Sequence, residues 1–254
     1  MHKSIFLKVM KTFFYLAIIA TLLSSCKQTK QKVNWVQASI QKSRQAPNDS
    51  TRLYHINQVC TRIQKEEDQQ PNPEYWGGIL YNMAFFVDVM QRVKSPHHQV
   101  FMDVGSGNGE KLFGALCLGF KQAIGIEYNP ALVKMSQQNF PALHQQHIIK
   151  TYEGDALKIE GSSFKQADFI YLYSPIKNTD KMARLLERVV VNMKDGTTLL
   201  EVNAFYMDAW KKLSHLRLPV LQGGWLAIKK EKGQYFLAQT FYESGAAWQP
   251  LFMH

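Results

Sequence analysis

The sequence predicts an α/β protein with a doubly wound, mostly parallel sheet, and three observations lead to that fold class. From residue 99 onward, short apolar runs alternate with helical patterns, which is typical of parallel strands joined by crossover helices. The first run ends in a glycine-rich turn, DVGSGNG at residues 103–109, and the second ends in an acid, Glu127. Corners of this kind, from strand through turn to helix, bind nucleosides at the carboxyl ends of the strands.

Apolar runs bounded by turn residues predict the strands, and apolar residues at helical spacing predict the helices. The strands are predicted at residues 99–104, 122–127, 147–152, 167–173 and 197–202, with a late antiparallel pair near 218–228 and 234–242. The helices are predicted at residues 51–67, 74–93, 109–119, 130–139, 178–194 and 205–213. The expected molecule is therefore a seven-stranded sheet with a C-terminal antiparallel hairpin, preceded by an N-terminal helical extension.

The glycine-rich turn follows Asp103 and contains Gly105, Ser106 and Gly107. Glycines let the backbone approach a ligand closely, and the first N–H groups of the following helix have no partner within that helix. Where the dinucleotide fingerprint G-x-G-x-x-G has its third glycine, this chain has Glu110, whose charge would repel a pyrophosphate. The turn is therefore predicted to hold a nucleoside without phosphates, and a tight turn without any ligand is the alternative.

Two further acids follow predicted strands. Glu127 is predicted to accept hydrogen bonds from both hydroxyls of a ribose; the alternative is a charge at the N-terminus of the next helix. Asp155 is predicted to accept a hydrogen bond from the exocyclic amine of adenine, with the backbone N–H of Ala156 beside it for a ring nitrogen. A simple turn acid after Gly154 is the alternative for Asp155.

The positive charge of the chain is confined to its N-terminal part. The formal net charge is +10, and residues 1–65 contain eleven Lys and Arg but one acid, so the remainder is neutral. The folded domain is therefore not expected to bind nucleic acid. Three cysteines without a CxxC motif predict neither a disulfide framework nor a metal site. His97 and His98 precede the first strand and are predicted to lie at the surface.

The N-terminus has the pattern of a targeting signal. Three lysines precede the apolar run 12–23, which is short for a membrane span, and the run ends in Leu-Ser-Ser-Cys26. This ending resembles the lipobox of bacterial lipoproteins, in which the cysteine is lipidated, and Met10 is an alternative start. Because lysines also follow Cys26, an uncleaved anchor on the cytoplasmic face of the membrane is the other interpretation. The predicted organisation is a signal or anchor at 1–26, a polar linker and helical extension at 27–73, and a domain at 74–254.

Four motifs, in this order and spacing, resemble those of class I S-adenosylmethionine-dependent methyltransferases: DVGSGNG, GIEYNP, EGDAL and ADFIYLYSP. Tyr75-Trp76-Gly77 and NMKDG at 192–196 are most similar to the non-SET histone-lysine branch, named for disruption of telomeric silencing. The resemblance implies a Rossmann-like fold with S-adenosylmethionine as the cofactor, and it places Tyr75 near the methionine end. The predicted cofactor-binding residues are Tyr75, Asp103, Gly105, Ser106, Gly107, Glu127, Asp155 and Ala156.

The predicted catalytic residues are Tyr173 and Ser174, at the end of the fourth strand, where the resembling branch has an asparagine pair instead. Methyl transfer from a sulfonium is an in-line displacement, so it depends on positioning more than on a strong acid or base. Tyr173 would orient an acceptor or deprotonate an amine; packing is its alternative role. Two functions stay open: a methyltransferase for a protein side chain, lysine included, or a small molecule, and a non-catalytic, membrane-tethered protein that retains the fold.

Overall fold

The computed structural model describes residues 35–64, 82–202, 207–213, 216, 224–240 and 248–251. The chain divides into two compact units, residues 1–38 and 39–254, and of the first unit only residues 35–38 are described. The predictions for the signal segment with Cys26 and for Tyr75 and Trp76 lie outside the described residues. In the ranges that are described, no helix is both long and apolar enough to cross a membrane.

The second unit is built on a mixed sheet with the strand order β3-β2-β1-β4-β5-β6-β7-β8. The five strands β1 to β5 pair in parallel, and β6 to β8 add to β5 in antiparallel pairs. The strands are β1 Val100–Val104, β2 Gln122–Glu127, β3 Ile149–Glu153, β4 Phe169–Leu172, β5 Thr198–Val202, β6 Trp225–Glu231, β7 Gln234–Thr240 and β8 Gln249–Leu251. The order reverses beside β1, so the carboxyl ends of β1 and its neighbours form the expected ligand-binding edge.

Helices connect these strands and precede them. They are α1 (residues 35–44), α2 Asp49–Cys60, α3 Met83–Val93, α4 Glu110–Cys117, α5 Pro130–Asn139, α6 Pro141–Gln145, α7 Thr179–Asn192 and α8 Met207–Lys211, with a 3₁₀ turn at Gly161–Gln166. The α/β fold class, the parallel sheet, the late hairpin and the N-terminal helices are therefore confirmed.

The structure differs from the predicted elements at several places, and the short helix α6 and the 3₁₀ turn at Gly161–Gln166 were not predicted. An eighth strand, β8, pairs with β7; it has three residues and is too short to show a period. The helix predicted from residue 51 to 67 ends at Cys60. The helix predicted from residue 74 begins, within the described part, at Met83, where the Asn82 side chain accepts a hydrogen bond from the N–H of Ala84 at 2.9 Å. Asparagine is a favoured N-cap, which explains this start.

The two faces of the sheet are covered by different helices. On one face Phe101 and Tyr171 contact the ring of Phe86 in α3 edge to face. On the other face Met102 and Leu172 belong to the core that includes the buried residues of α7. Because side chains alternate along a strand, Asp103 shares the first face with Phe101.

The N-terminal helices of this unit pack against α4. The Arg44 guanidinium donates hydrogen bonds to the carbonyls of Leu116 and Phe120 at 2.9 and 2.7 Å. These carbonyls lie at and beyond the C-terminal end of α4, where a cation is electrostatically favourable. Part of the segment predicted as a polar linker is thus helical and bound to the sheet domain.

The surface prediction for His98 is wrong. His98 is buried, its Nδ1 accepts from the N–H of Ser95 at 3.0 Å, and its Nε2 lies 3.3 Å from the hydroxyl of Thr198. Burial lowers the pKa of His98 to about 4, although Asp168 opposes this. Its neighbour His97 is exposed, as predicted. His98 therefore closes the amino end of the sheet, opposite the candidate site.

Candidate functional site

Three glycines shape the turn between β1 and α4. Gly105, Gly107 and Gly109 have φ values of 88°, 52° and 85°, in the left-handed region that a Cβ disfavours. The side chain of Asn108 accepts a hydrogen bond from the N–H of Glu110 at 3.1 Å and so satisfies one N–H group in the first turn of α4. The predicted glycine-rich corner is present, and its backbone conformation requires glycine.

The turn lies against both neighbouring strands. The N–H of Gly105 donates to the carbonyl of Ile126 in β2 at 2.8 Å. A Cβ on Gly105 would lie 3.1 Å from Cβ of Pro175, which follows β4. Ser106 is buried, and a Cβ on Gly125 would lie 2.4 Å from its hydroxyl oxygen, so the Ser106 side chain points toward β2. Ser106 contributes to the shape of the turn, and the turn brings the ends of β2 and β4 together.

Glu127 ends β2 and holds the glycine-rich turn through its carboxylate. Its Oε2 accepts from the N–H of Gly107 at 2.8 Å, and its Oε1 accepts from the N–H of Asn129 at 2.9 Å. The residue is 8% exposed. These two bonds fix the direction of the carboxylate, which as a group offers about four acceptor positions. The group is suited to accept hydrogen bonds from two adjacent hydroxyls.

Asp155 and Ala156 follow β3, beside the strand that ends in Glu127. The Asp155 Oδ1 accepts from the N–H of Leu157 at 2.9 Å, and its Oδ2 lies 3.6 Å from Nζ of Lys158. Its side chain is 14% exposed and Ala156 is partly exposed. Both predicted residues therefore lie on the β3 side of Glu127, where an adenine ring would follow the ribose.

Asp103 lies fully buried at the centre of this edge. It is paired in register with Gly125 on β2 and with Tyr171 on β4. Lys111, the second residue of α4, places its Nζ 3.8 Å from the Asp103 Oδ2. The same Nζ lies 5.9 Å from the ring centroids of Tyr171 and Tyr173. An acid, a cation and two aromatic rings thus meet where β1 and β4 end.

The two predicted catalytic residues take opposite directions at the end of β4. Tyr173 is partly exposed and lies near Lys111. Ser174 is buried, and its hydroxyl lies 3.4 Å from the carbonyl of Val202 and 3.5 Å from Oε1 of Glu201 in β5. Its φ of 39° is unusual for a residue other than glycine, and such strain is frequent at functional sites.

Glu201 also lies at this edge, although it was not predicted from the sequence. This carboxyl is fully buried in β5, where it also accepts a hydrogen bond from the indole N–H of Trp210. Burial raises the pKa of Glu201 to about 8, although the hydrogen bonds from Trp210 and Ser174 oppose the shift. The available signal was an acid inside the otherwise apolar run TLLEV. Glu201 therefore connects the end of β4 to β5 and α8.

A second missed contact joins the glycine-rich turn to the chain before α3. The Asn108 side chain donates to the carbonyl of Gln64 at 3.0 Å, and the Asn139 side chain donates to the carbonyl of Asn108 at 3.1 Å. The N–H of Gln64 donates to the Asn139 side chain at 2.9 Å. The end of the helical extension thus buttresses the turn from behind.

Residues 67–214, more than half of the chain, match the model of the family described as histone methylation protein DOT1. The chain belongs to the DOT1 family. It is an S-adenosylmethionine-dependent methyltransferase with the class I fold, as the motifs predict. Of the two functions that the sequence leaves open, the family supports the enzyme.

Solved structures similar to this DOT1-family chain include other methyltransferases. The mitomycin 7-O-methyltransferase MmcR is 18% identical at a TM-score of 0.39; the match covers 47% of this chain and 35% of that one. An RNA methyltransferase from Salinibacter ruber, in complex with S-adenosyl-L-homocysteine, is 19% identical at a TM-score of 0.37, over 51% and 77%. A TehB-like methyltransferase from Corynebacterium glutamicum is 18% identical at a TM-score of 0.41, over 61% and 90%. This chain spans about a third of MmcR.

The residues at this edge fit S-adenosylmethionine, the cofactor of the DOT1-family chain. Glu127 presents a carboxylate fixed by two backbone N–H groups, which suits a ribose, and the glycines at 105 and 107 keep the backbone free of Cβ atoms. Asp103 and Lys111 supply one charge of each sign, as the amino-acid end of the cofactor does. Among the residues described, no group of three or more His, Cys, Asp and Glu could hold a metal ion.

Proposed function

We propose that this protein transfers the methyl group of S-adenosylmethionine to a protein side chain, lysine included, or to a small molecule. The partly exposed Tyr173 carries this proposal, because it directly follows β4, and Pro175 two residues later lies against the glycine-rich turn. The description of the family as histone methylation proteins favours a protein side chain. The acceptor would approach from the β4 side.

Four of the predicted cofactor-binding residues are proposed to contact particular parts of the cofactor. Glu127 accepts from the ribose hydroxyls, Asp155 accepts from the adenine amine, and Ala156 offers its backbone N–H to the ring. When bound, S-adenosylmethionine supplies an electrophilic methyl group. Tyr75 is proposed near the methionine end, from the family motif alone.

Tyr173 is proposed to orient the acceptor through its hydroxyl. For an amine acceptor, the phenolate form of Tyr173 would take up the proton that the ammonium group releases and so become the neutral phenol. Positioning alone lowers the barrier of a displacement substantially, since the reacting groups lose their freedom on binding and not during the reaction. Ser174 holds the end of β4 against β5 through its hydroxyl. Its proposed catalytic part is therefore to fix the direction in which Tyr173 points.

The charge of the domain argues against a polyanionic acceptor. Residues 66–254 carry equal numbers of basic and acidic residues, and nucleic-acid binding depends on a basic surface. A nucleosome-like target would need the basic contacts that only the N-terminal extension supplies. We therefore propose that the acceptor is recognised as an individual side chain or as a small molecule.

A methyl-transfer assay with Tyr173→Phe tests the acceptor site. Purified protein is incubated with S-adenosylmethionine labelled in its methyl group, and with core histones, unrelated proteins and small amines or carboxylates in separate reactions. For an amine acceptor we expect Tyr173→Phe to lower turnover at least about tenfold, with binding of S-adenosylhomocysteine unchanged. The position of Tyr173, away from Glu127 and Asp155, is the reason for the unchanged binding.

The stability of the label to base separates the acceptors, because methyl esters hydrolyse in mild base and methylamines do not. Ser162→Ala, at an exposed position of the 3₁₀ turn, serves as a control that should retain full turnover. Full turnover in Tyr173→Phe would show that the Tyr173 hydroxyl takes no part in the reaction. A loss of cofactor affinity in the same variant would place it in the cofactor site instead.

We further propose that the protein is tethered to a membrane by a lipid on Cys26; the cytoplasmic-face anchor is the alternative. Support comes from the lysines, the apolar run and the Leu-Ser-Ser-Cys ending. Cys26→Ser should then leave an unprocessed precursor that no longer incorporates labelled fatty acid and that migrates differently in gels. Equal labelling of the wild type and the variant, or none in either, would exclude lipidation at Cys26 and favour the cytoplasmic anchor.

A further inference from the structure

We propose that Lys111 binds the carboxylate at the amino-acid end of the cofactor, with Asp103 beside it for the ammonium group. This assignment rests on the cofactor-binding function proposed above and adds a residue that the sequence motifs do not contain. Lys111 is the second residue of α4, outside the acids and glycines of the predicted corner.

The strand order determines which end of the cofactor reaches Lys111. Asp155 follows β3 and Glu127 ends β2, on one side of the glycine-rich turn. With the adenine at Asp155 and the ribose at Glu127, the remainder of the molecule extends the other way, toward β1 and β4. Asp103, Lys111 and Tyr173 meet there. The amino-acid end therefore arrives at the cluster that contains Lys111.

The charges of this cluster match those of the ligand. The amino-acid end of the cofactor carries one ammonium and one carboxylate, and Asp103 and Lys111 offer one charge of each sign. Their closest atoms, Oδ2 and Nζ, are 3.8 Å apart, which is longer than a hydrogen bond between nitrogen and oxygen. A zwitterion lying along this pair meets an opposite charge at each of its two groups, so the charges of the pair are complementary to those of the ligand.

Burial strengthens the electrostatic contacts of Lys111, and two aromatic rings favour the position of its ammonium group. Its side chain is 14% exposed and that of Asp103 is fully buried, so contacts to either are screened less than at the surface. The rings of Tyr171 and Tyr173 lie at the outer range of a cation–π contact with Nζ. They keep the ammonium group at the end of β4, facing the ligand-binding edge.

Three probes that differ only at the amino-acid end test the assignment by calorimetric titration. S-adenosylhomocysteine has both groups, its decarboxylated analogue has the amine alone, and 5′-methylthioadenosine has neither. We expect Lys111→Met to weaken binding of S-adenosylhomocysteine about 10- to 100-fold. Binding of the other two probes should not weaken, since they lack the carboxylate. Lys111→Arg should retain most of the affinity, because it keeps a cation that binds carboxylates.

Lys158→Met is the matched control, because it removes the same charge beside the adenine-side acid Asp155. It should not distinguish the three probes. An equal loss of affinity for all three probes in Lys111→Met would overturn the assignment, since Lys111 would then only support the fold of the turn. Unchanged binding of S-adenosylhomocysteine in this variant would also overturn it. If the wild-type protein binds 5′-methylthioadenosine, the nucleoside part of the site is present, and a failure of the Lys111 assignment is then distinct from a failure of the cofactor site. Wild-type protein that binds none of the probes would overturn the cofactor site and this assignment together.

Discussion

Replacing Glu127 with alanine is expected to weaken binding of S-adenosylhomocysteine at least about tenfold. The carboxylate is charged, nearly buried and fixed by two backbone N–H groups, and hydrogen bonds to a charged acceptor contribute roughly 1.5–3 kcal/mol. Loss of the bond to Gly107 also loosens the glycine-rich turn, which adds to the effect. Calorimetric titration of the wild type and the variant measures it.

The structure offers a matched control at the end of the adjacent strand. Glu153 is the register partner of Glu127 in β3 and is exposed. Glu153→Ala removes the same charge at nearly the same place and should leave the affinity within about twofold. If Glu127→Ala binds S-adenosylhomocysteine as the wild type does, Glu127 does not contact the ribose and acts only as a support for the turn.

Much of the fold could be predicted because the central strands are continuous buried runs between turn residues. The strands β1 and β2 begin and end within one residue of their predicted bounds. The late strand pair is predicted with its connection before residue 234, and the hairpin turns there at Lys232-Gly233, where both residues have positive φ. The strand β8 could not be predicted, because three residues on the open side of β7 carry no period.

The acids of the site could be predicted because each lies at the carboxyl end of a strand or just beyond it. Asp103, Glu127 and Asp155 lie at the carboxyl ends of β1, β2 and β3 or just beyond, and parallel strands bring these ends to one edge. Their positions along the chain therefore determine their proximity. No side-chain contact had to be known in advance.

The residues that were missed depend on contacts between distant parts of the chain. His98 is buried because Thr198, 100 residues later, lies against its ring. Glu201 tolerates burial because α8 supplies the indole of Trp210. Lys111 is notable only once the fold brings its ammonium group near the ring of Tyr173, which follows β4. Periodicity describes which face a residue belongs to, but it does not describe its partner on another element.

Replacing Glu201 with glutamine is expected to remove a loss of stability that the wild type shows between about pH 4.5 and pH 8. Burial raises the pKa of Glu201 to about 8, from about 4.5 in the unfolded chain. Since the folded pKa is the higher one, the contribution of the neutral carboxyl is complete below pH 4.5 and is lost as the pH rises through 8. The shift corresponds to roughly 3–5 kcal/mol. Urea unfolding at pH 5, 6.5 and 8 measures it.

The comparison with Glu201→Gln isolates this carboxyl from the other titrating groups. His98, whose pKa is lowered to about 4, makes stability rise with pH between about 4 and 6.5 in both proteins, so its effect cancels in the difference. Glutamine keeps the shape and one oxygen for the indole N–H of Trp210. The variant should therefore equal the wild type near pH 5 and exceed it at pH 8, whereas Glu153→Gln, at an exposed acid, should follow the wild type throughout. Parallel pH profiles for Glu201→Gln and the wild type would mean that Glu201 titrates alike in the folded and unfolded chains, and that the contacts with Trp210 and Ser174 hold it as a carboxylate.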